Sequence, residues 1–329
     1  MLKKVWILPE LIIAVAALAV MAALSLVYHL PISFPNGERS AFLGIHYIYP
    51  LAGAIVIAAA IHLYSKRDET LRVLFALPCY LAVLLAHFNL KLWIPHINPL
   101  LFDGWLWSFD AHFSGVVSAC MKVREALWTI IPPDANAYML VFIMMFYTSF
   151  IYHAVRTPER VRELIIAVMI MQFLGGLLYL AMPAIGPFVF EPGVNPFNTL
   201  NQQGMLDFYR HSVHEGPTWL AAHGDENFTG GLAAMPSLHN AGALLFLLFA
   251  RAYGKPLVPP FVLATLFIAV ASIASRWHYL LDLPAGWLLA STSYHLAHFI
   301  CRREDRLAQA QIQQPGDLVQ PLCGSSQAR

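Results

Sequence analysis

His278 and Asp282 stand four residues apart in the stretch Ser275-Arg276-Trp277-His278-Tyr279-Leu280-Leu281-Asp282. On a helix, residues at that spacing share a face and come into contact. A carboxylate beside an imidazole fixes the ring tautomer and stabilises its cationic form, leaving the other ring nitrogen to serve as nucleophile or base. A second segment, Met235-Pro236-Ser237-Leu238-His239, opens another apolar run. Proline suits a helix's first turn, and the amides and positive dipole end found there favour an anion such as phosphate. His239 would stand over that anion as a proton donor to a leaving oxygen. Plainer readings exist for both segments: an HxxxD pair can be an interfacial hydrogen bond, and Pro-Ser-Leu-His a helix cap with a solvent-facing histidine. The setting argues for chemistry, because a charged side chain within an apolar run costs about 2.5–3.5 kcal/mol even on the lenient insertion scale.

The chain that must position these groups has 329 residues, 58% hydrophobic and 12% charged, with a mean hydropathy of +0.60. Soluble domains carry roughly 25% charged residues, so this composition describes a multi-pass membrane protein. A net charge of +1 and the lack of any basic stripe exclude nucleic acid as a partner. Cys79, Cys120, Cys301 and Cys323 are scattered singly, which fits neither a zinc site nor a disulfide framework. His211, His214, His223, Asp225 and Glu226 match no recognised ligand spacing. No metal and no cofactor are therefore expected.

About 20 apolar residues cross a bilayer as a helix. That measure predicts spans near 11–30, 44–64, 71–90, 136–155, 161–182, 236–253, 257–275 and 279–299, an all-α polytopic bundle of about eight transmembrane helices. Lys3 and Lys4 precede the first run, which is long enough to be a retained span. Between Gly104 and Trp128 the charges of Asp110, Lys122, Arg124 and Glu125 leave too short an apolar interior to cross, and the tryptophans there suit an interfacial helix. Cytoplasmic loops are richer in Lys and Arg. The alternating loops of this plan divide the 20 basic residues into fourteen on the side of both termini and six on the other. Both termini are accordingly expected in the cytoplasm. His239, His278, Asp282 and Lys91 then fall on the extracytoplasmic face, beneath an outer loop at 183–234. The organisation expected is two N-terminal transmembrane helices in 1–70, a catalytic membrane domain in 71–300 and a disordered cytoplasmic tail in 301–329.

The two motifs, in this order and on one face, resemble the type 2 phosphatidic acid phosphatase superfamily, whose pattern is KxxxxxxRP, PSGH and SRxxxxxHxxxD. Here the corresponding stretches are Lys91-Leu92-Trp93-Ile94-Pro95-His96-Ile97-Asn98-Pro99, Pro236-Ser237-Leu238-His239 and His278-Tyr279-Leu280-Leu281-Asp282. Asn98 stands where the family has arginine, Leu238 replaces the motif glycine, and Ser272 occupies the position of the arginine six residues before the histidine. The compact Ser275-Arg276-Trp277-His278 spacing, PSLH for PSGH, and Tyr179-Leu180-Ala181-Met182-Pro183-Ala184-Ile185-Gly186-Pro187 look like the inositol phosphorylceramide synthase branch.

The resemblance implies a metal-independent enzyme in which His278, oriented by Asp282, attacks phosphorus while His239 protonates the departing alcohol. Lys91, Ser237, Arg276 and Asn98 would surround the phosphate. Its partners would be a lipid phosphate donor, an alcohol acceptor and the bilayer, and its expected location is the plasma (inner) membrane. Headgroup transfer is the first expectation, a lipid phosphate or pyrophosphate phosphatase the second. A transporter or scaffold, the third, would place its charges at mid-membrane, whereas these cluster toward one interface. Lys91 also has the ordinary role of a lysine snorkelling from a helix end.

Overall fold

The computed structural model describes residues 8–35, 68–128, 130–131, 137–194, 196–230, 232 and 235–312. These residues are helical, and no strand occurs among them. In chain order the helices are α1 (Pro9–Tyr28), α2 (Asp68–Ile97), α3 (Asp103–His112), α4 (Ser114–Ala126), α5 (Ala137–Arg156) and α6 (Pro158–Ala181). There follow α7 (Pro196–Glu215), α8 (Pro217–His223), α9 (Leu238–Tyr253), α10 (Val258–Ala274) and α11 (Asp282–Ile312).

Local sequence explains where they begin and end. α1 starts on Pro9, whose missing N–H costs little at the first helical position, and stops at His29, which takes a left-handed φ of 53°. A single residue, Thr157, separates α5 from α6, and Pro158 then opens α6. α6 is apolar around its whole circumference, the pattern of a helix enclosed by others. α1, α2, α5, α9 and α11 all pack on it, and more than half of its most apolar stretch is buried.

One end of the bundle is closed by charge. Arg162, near the start of α6, donates from Nε and Nη2 to both oxygens of Glu10 on α1, each at 2.8 Å. Its Nη1 donates to Glu304 on α11 at 2.6 Å. Beside it Glu163 accepts from Arg160 and pairs with His298 Nδ1 at 2.8 Å. The site lies at the other end, where α2 and α6 finish and α9 and α11 begin.

Among the described residues, five helical stretches are long and apolar enough to cross a membrane: Pro9–Tyr28, Phe75–Ile97, Ala137–Arg156, Pro158–Ala181 and Lys255–Ala274. The expected span at 44–64 lies outside the described residues. α9 has 16 residues, and α11 carries Ser291, Thr292, Ser293, His295 and His298. Three other expectations differ from the structure. The stretch 104–128 forms two helices that break at Phe113, where a single one was expected. The polar loop at 183–234 is largely helical, because Pro196 and Pro217 each open a helix whose apolar side chains Phe208 and Leu220 are buried. α11 continues to Ile312, past the boundary drawn at 300.

Candidate active site

The two motif segments meet at the starts of α9 and α11. His278 Nδ1 lies 3.1 Å from Asp282 Oδ2, with His278 7% and Asp282 0% exposed. The same Asp282 oxygen accepts the Tyr279 N–H at 2.8 Å, so one carboxylate both holds the imidazole and caps the turn that presents it. The Ser237 N–H donates to the Asp282 carbonyl at 3.0 Å, tying the start of α9 to the start of α11. This approach needs Gly286: a Cβ there would sit 2.4 Å from the Ser237 carbonyl oxygen.

Ser237 is the N-cap of α9. Its hydroxyl accepts from Asn240 Nδ2 at 2.9 Å, and Asn240 Nδ2 also donates to Ser272 Oγ at 3.1 Å. The Ser272 carbonyl accepts the His278 N–H at 3.3 Å. Ser272, the residue in the place of a family arginine, is thus a fully buried strut between α9, α10 and the histidine loop.

That loop is gripped from its other side by α3. Asp103, 5% exposed, accepts the Tyr279 hydroxyl at 2.8 Å and the backbone N–H groups of Ile185 and Gly186 at 2.9 Å. Asp110, seven residues along the same face, accepts the Leu280 N–H at 2.9 Å and lies 3.7 Å from Arg276 Nη1. Burial pushes the Asp110 carboxyl above the usual range, against the opposing pull of the Leu280 amide and Arg276. Gly186, at a φ of 128°, lets its segment pass the Trp277 carbonyl, which a Cβ would approach to 2.9 Å.

A cavity of about 400 Å³ opens onto this assembly. His278, His239 and Lys91 all line it. The His239 ring stands edge-on to Phe142 at 4.7 Å and to Tyr138 at 5.2 Å between centroids. Lys91 Nζ reaches in from α2 and lies 3.4 Å from the Thr229 carbonyl. The segment that carries α7 and α8, here the cap, contributes Asn198, Asn201 and Thr229 to the lining.

The structure therefore gathers His278, Asp282, His239, Lys91 and the Ser237 turn, and it places Arg276 and Asn98 elsewhere. Arg276 is 2% exposed, donates from Nε to Glu191 and stacks over Trp107 at 5.5 Å. Two carboxylates already compensate its charge, and it does not line the cavity. Asn98 donates from Nδ2 to the Leu180 carbonyl at 2.9 Å and accepts the Leu100 N–H at 3.2 Å, joining the ends of α2 and α6. Ser237 spends its own N–H on Asp282, so any amide contact to an anion falls to the residues after it. Sequence reasoning missed Asp103, Asn240 and Gly286, and read Asp110 only as a charge interrupting an apolar run. The seven-residue spacing of the two aspartates in a tryptophan-rich stretch was the available signal. Among the loop residues considered for a metal, His211 and His223 each stack on the Trp219 ring, at 5.7 and 4.6 Å between centroids. Asp225 accepts the Phe34 N–H at 2.8 Å.

A family model described as the PAP2 superfamily matches residues 104–296, more than half of the chain. The match begins one residue into α3, after Asp103, and contains α7, α8, α9 and the His278–Asp282 pair. No curated protein and no solved structure matches the chain.

Proposed function

The chain belongs to the PAP2 superfamily, and on that premise we propose that it moves a phosphorylated headgroup from a phospholipid to an alcohol acceptor through a phosphohistidine at His278. Members of the superfamily are generally phosphatases or phosphotransferases, and five membrane-length helices fit a lipid substrate. The observation that carries the transferase reading is the charge of the cavity. Lys91 is the one Lys or Arg among the described residues that line it, since Arg276 is neutralised outside and Asn98 and Ser272 carry no charge. A phosphate monoester carries about −1.5 to −2 at pH 7, whereas a phosphodiester has a single ionised oxygen. One lysine matches the diester.

In the reaction, Asp282 holds Nδ1–H of His278 and Nε2 attacks phosphorus. A P–N bond forms as the bond to the donor's alkoxy oxygen breaks, and His239 gives that oxygen its proton. The acceptor hydroxyl then transfers its proton to His239, attacks phosphorus and displaces Nε2. Lys91 and the first-turn amides of α9 stabilise the charge on the non-bridging oxygens. Asn198, Asn201 and Thr229, which line the same cavity, suit the hydroxyls of a polyol headgroup. The fourteen-to-six division of basic residues supports placing the site on the extracytoplasmic side.

Purified protein in nanodiscs, given a phospholipid labelled in its headgroup, with and without a lipid alcohol acceptor, tests this. Formation of a headgroup-exchanged lipid is expected, with little phosphate released from phosphatidic acid. Acceptor-independent release of inorganic phosphate and no exchanged lipid would instead assign a lipid phosphate phosphatase.

A further inference from the structure

Resting on the reading of this site as a lipid phosphate-ester centre, we infer that one hydrocarbon chain of the substrate enters the bundle interior, where side chains at the deep end set the chain length accepted. The cavity does not stop at the histidines. Along α2 its lining runs from Lys91 to Tyr80, and along α6 from Tyr179 to Val168, each about 16 Å at about 1.5 Å per residue. α5 lines it from Tyr138 to Phe146, about 12 Å, and α9 from His239 to Phe246, about 10 Å. Four helices thus define one direction, inward from the reacting groups.

Side-chain character changes along that direction. The outer part holds Lys91, His239 and His278, and deeper in, Leu84, Phe146, Val168, Met171 and Phe246 outnumber the polar Gln172 and the Tyr80 hydroxyl. Phe246 and Val168 are each 1% exposed, and Phe246 meets Phe146 edge-on at 5.8 Å. A site must offer water two to four polar partners to hold it, and walls of this kind offer hydrocarbon a better fit. At roughly 30 Å³ per water-sized group, the cavity holds on the order of a dozen such groups. That is room for one chain and not for two. Since His278, His239 and Lys91 line the same space, the chain is the one attached to the reacting phosphate.

The test binds a homologous series of non-hydrolysable n-alkyl phosphonate monomethyl esters, singly charged like a phosphodiester, to the full chain in nanodiscs and, separately, measures turnover of the matching n-alkyl phosphodiesters. Affinity should rise about fourfold per methylene, the equivalent of about 0.8 kcal/mol per buried CH₂, and then level off before roughly a dozen carbons, since the phosphate group takes part of the same volume. Val168→Phe should move that break to shorter chains, and Phe246→Leu to longer ones. Opposite shifts cannot both come from misfolding. A break that stays in place in both variants, or affinity that climbs without any break, would overturn the slot and leave phosphoryl transfer standing. A break that moves as expected in a protein that turns over no phosphate ester would support the slot and remove the reaction.

Discussion

The carbonyl of Asp282 accepts the N–H of Ser237 at 3.0 Å, while its carboxylate holds His278. One residue therefore sets both the orientation of the proposed nucleophile and the position of the helix that carries His239. The separation of the two histidines is fixed by backbone, and Gly286 permits the contact.

Gly286→Ala should consequently impair activity more than its size suggests. The added Cβ would fall 2.4 Å from the Ser237 carbonyl and must push α9 and α11 apart. Overpacking of this kind costs about 1–3 kcal/mol. Thermal unfolding in detergent should show a destabilised but folded protein, and turnover should fall further than stability does.

His278→Ala should abolish turnover, because it removes the proposed nucleophile. Asp282→Asn should come close, since the tautomer would no longer be fixed. Labelling with a ³²P-phospholipid donor checks both: wild type should trap label on histidine and His278→Ala should not. Near-normal turnover in either variant would make the pair structural.

His239→Ala should lower the rate by about 10² to 10⁴ if His239 is the general acid. The loss should shrink with an aryl ester, whose leaving group needs little protonation. Equal losses on alkyl and aryl esters would assign His239 to binding.

Asp103→Asn should lower kcat with little change in KM. An amide cannot accept from Tyr279, Ile185 and Gly186 together as the carboxylate does, and a stranded buried donor costs about 1–3 kcal/mol. The histidine loop would loosen while the cavity walls on α2, α5 and α6 stayed in place. Asp103→Glu should recover part of the rate, and a KM effect alone would show that Asp103 does not position His278.

His214→Cys, on the exposed face of α7, should react with a membrane-impermeant maleimide in intact cells. Reaction only after permeabilisation would put the cap, and the site beneath it, on the cytoplasmic side.

Much of this arrangement was legible in the chain because it is local. His278 and Asp282 are four residues apart and touch as the spacing suggested, although His278 lies in the bend before α11 and not on a helix shared with Asp282; Pro236 and Ser237 mark a helix start, so a five-residue window held the information. Apolar runs likewise announced α1, α5, α6 and α10. The fates of Arg276 and Asn98 were not legible, since both depend on groups distant in sequence: Glu191 and Asp110 for the arginine, the Leu180 carbonyl for the asparagine. A motif position says what type of residue is present and not which neighbour claims it. The helical cap escaped for another reason. α7 is polar overall, and its few buried side chains, such as Phe208, give too weak a periodic signal to distinguish it from a loop.

The clamp at the other end of the bundle bears on how the protein is made. Arg162 draws on Glu10, 152 residues before it, and on Glu304, 142 residues after it. During synthesis the first carboxylate is already present when Arg162 leaves the ribosome, and the second arrives only with the last helix. Until then α6 holds a guanidinium with half its eventual partners. Insertion of α11 is thus the step that completes both ends of the molecule at once, delivering Asp282 to the histidine and Glu304 to the arginine on a single helix. A nascent chain halted before α11 would lack the His278–Asp282 contact and the Arg162–Glu304 ion pair together.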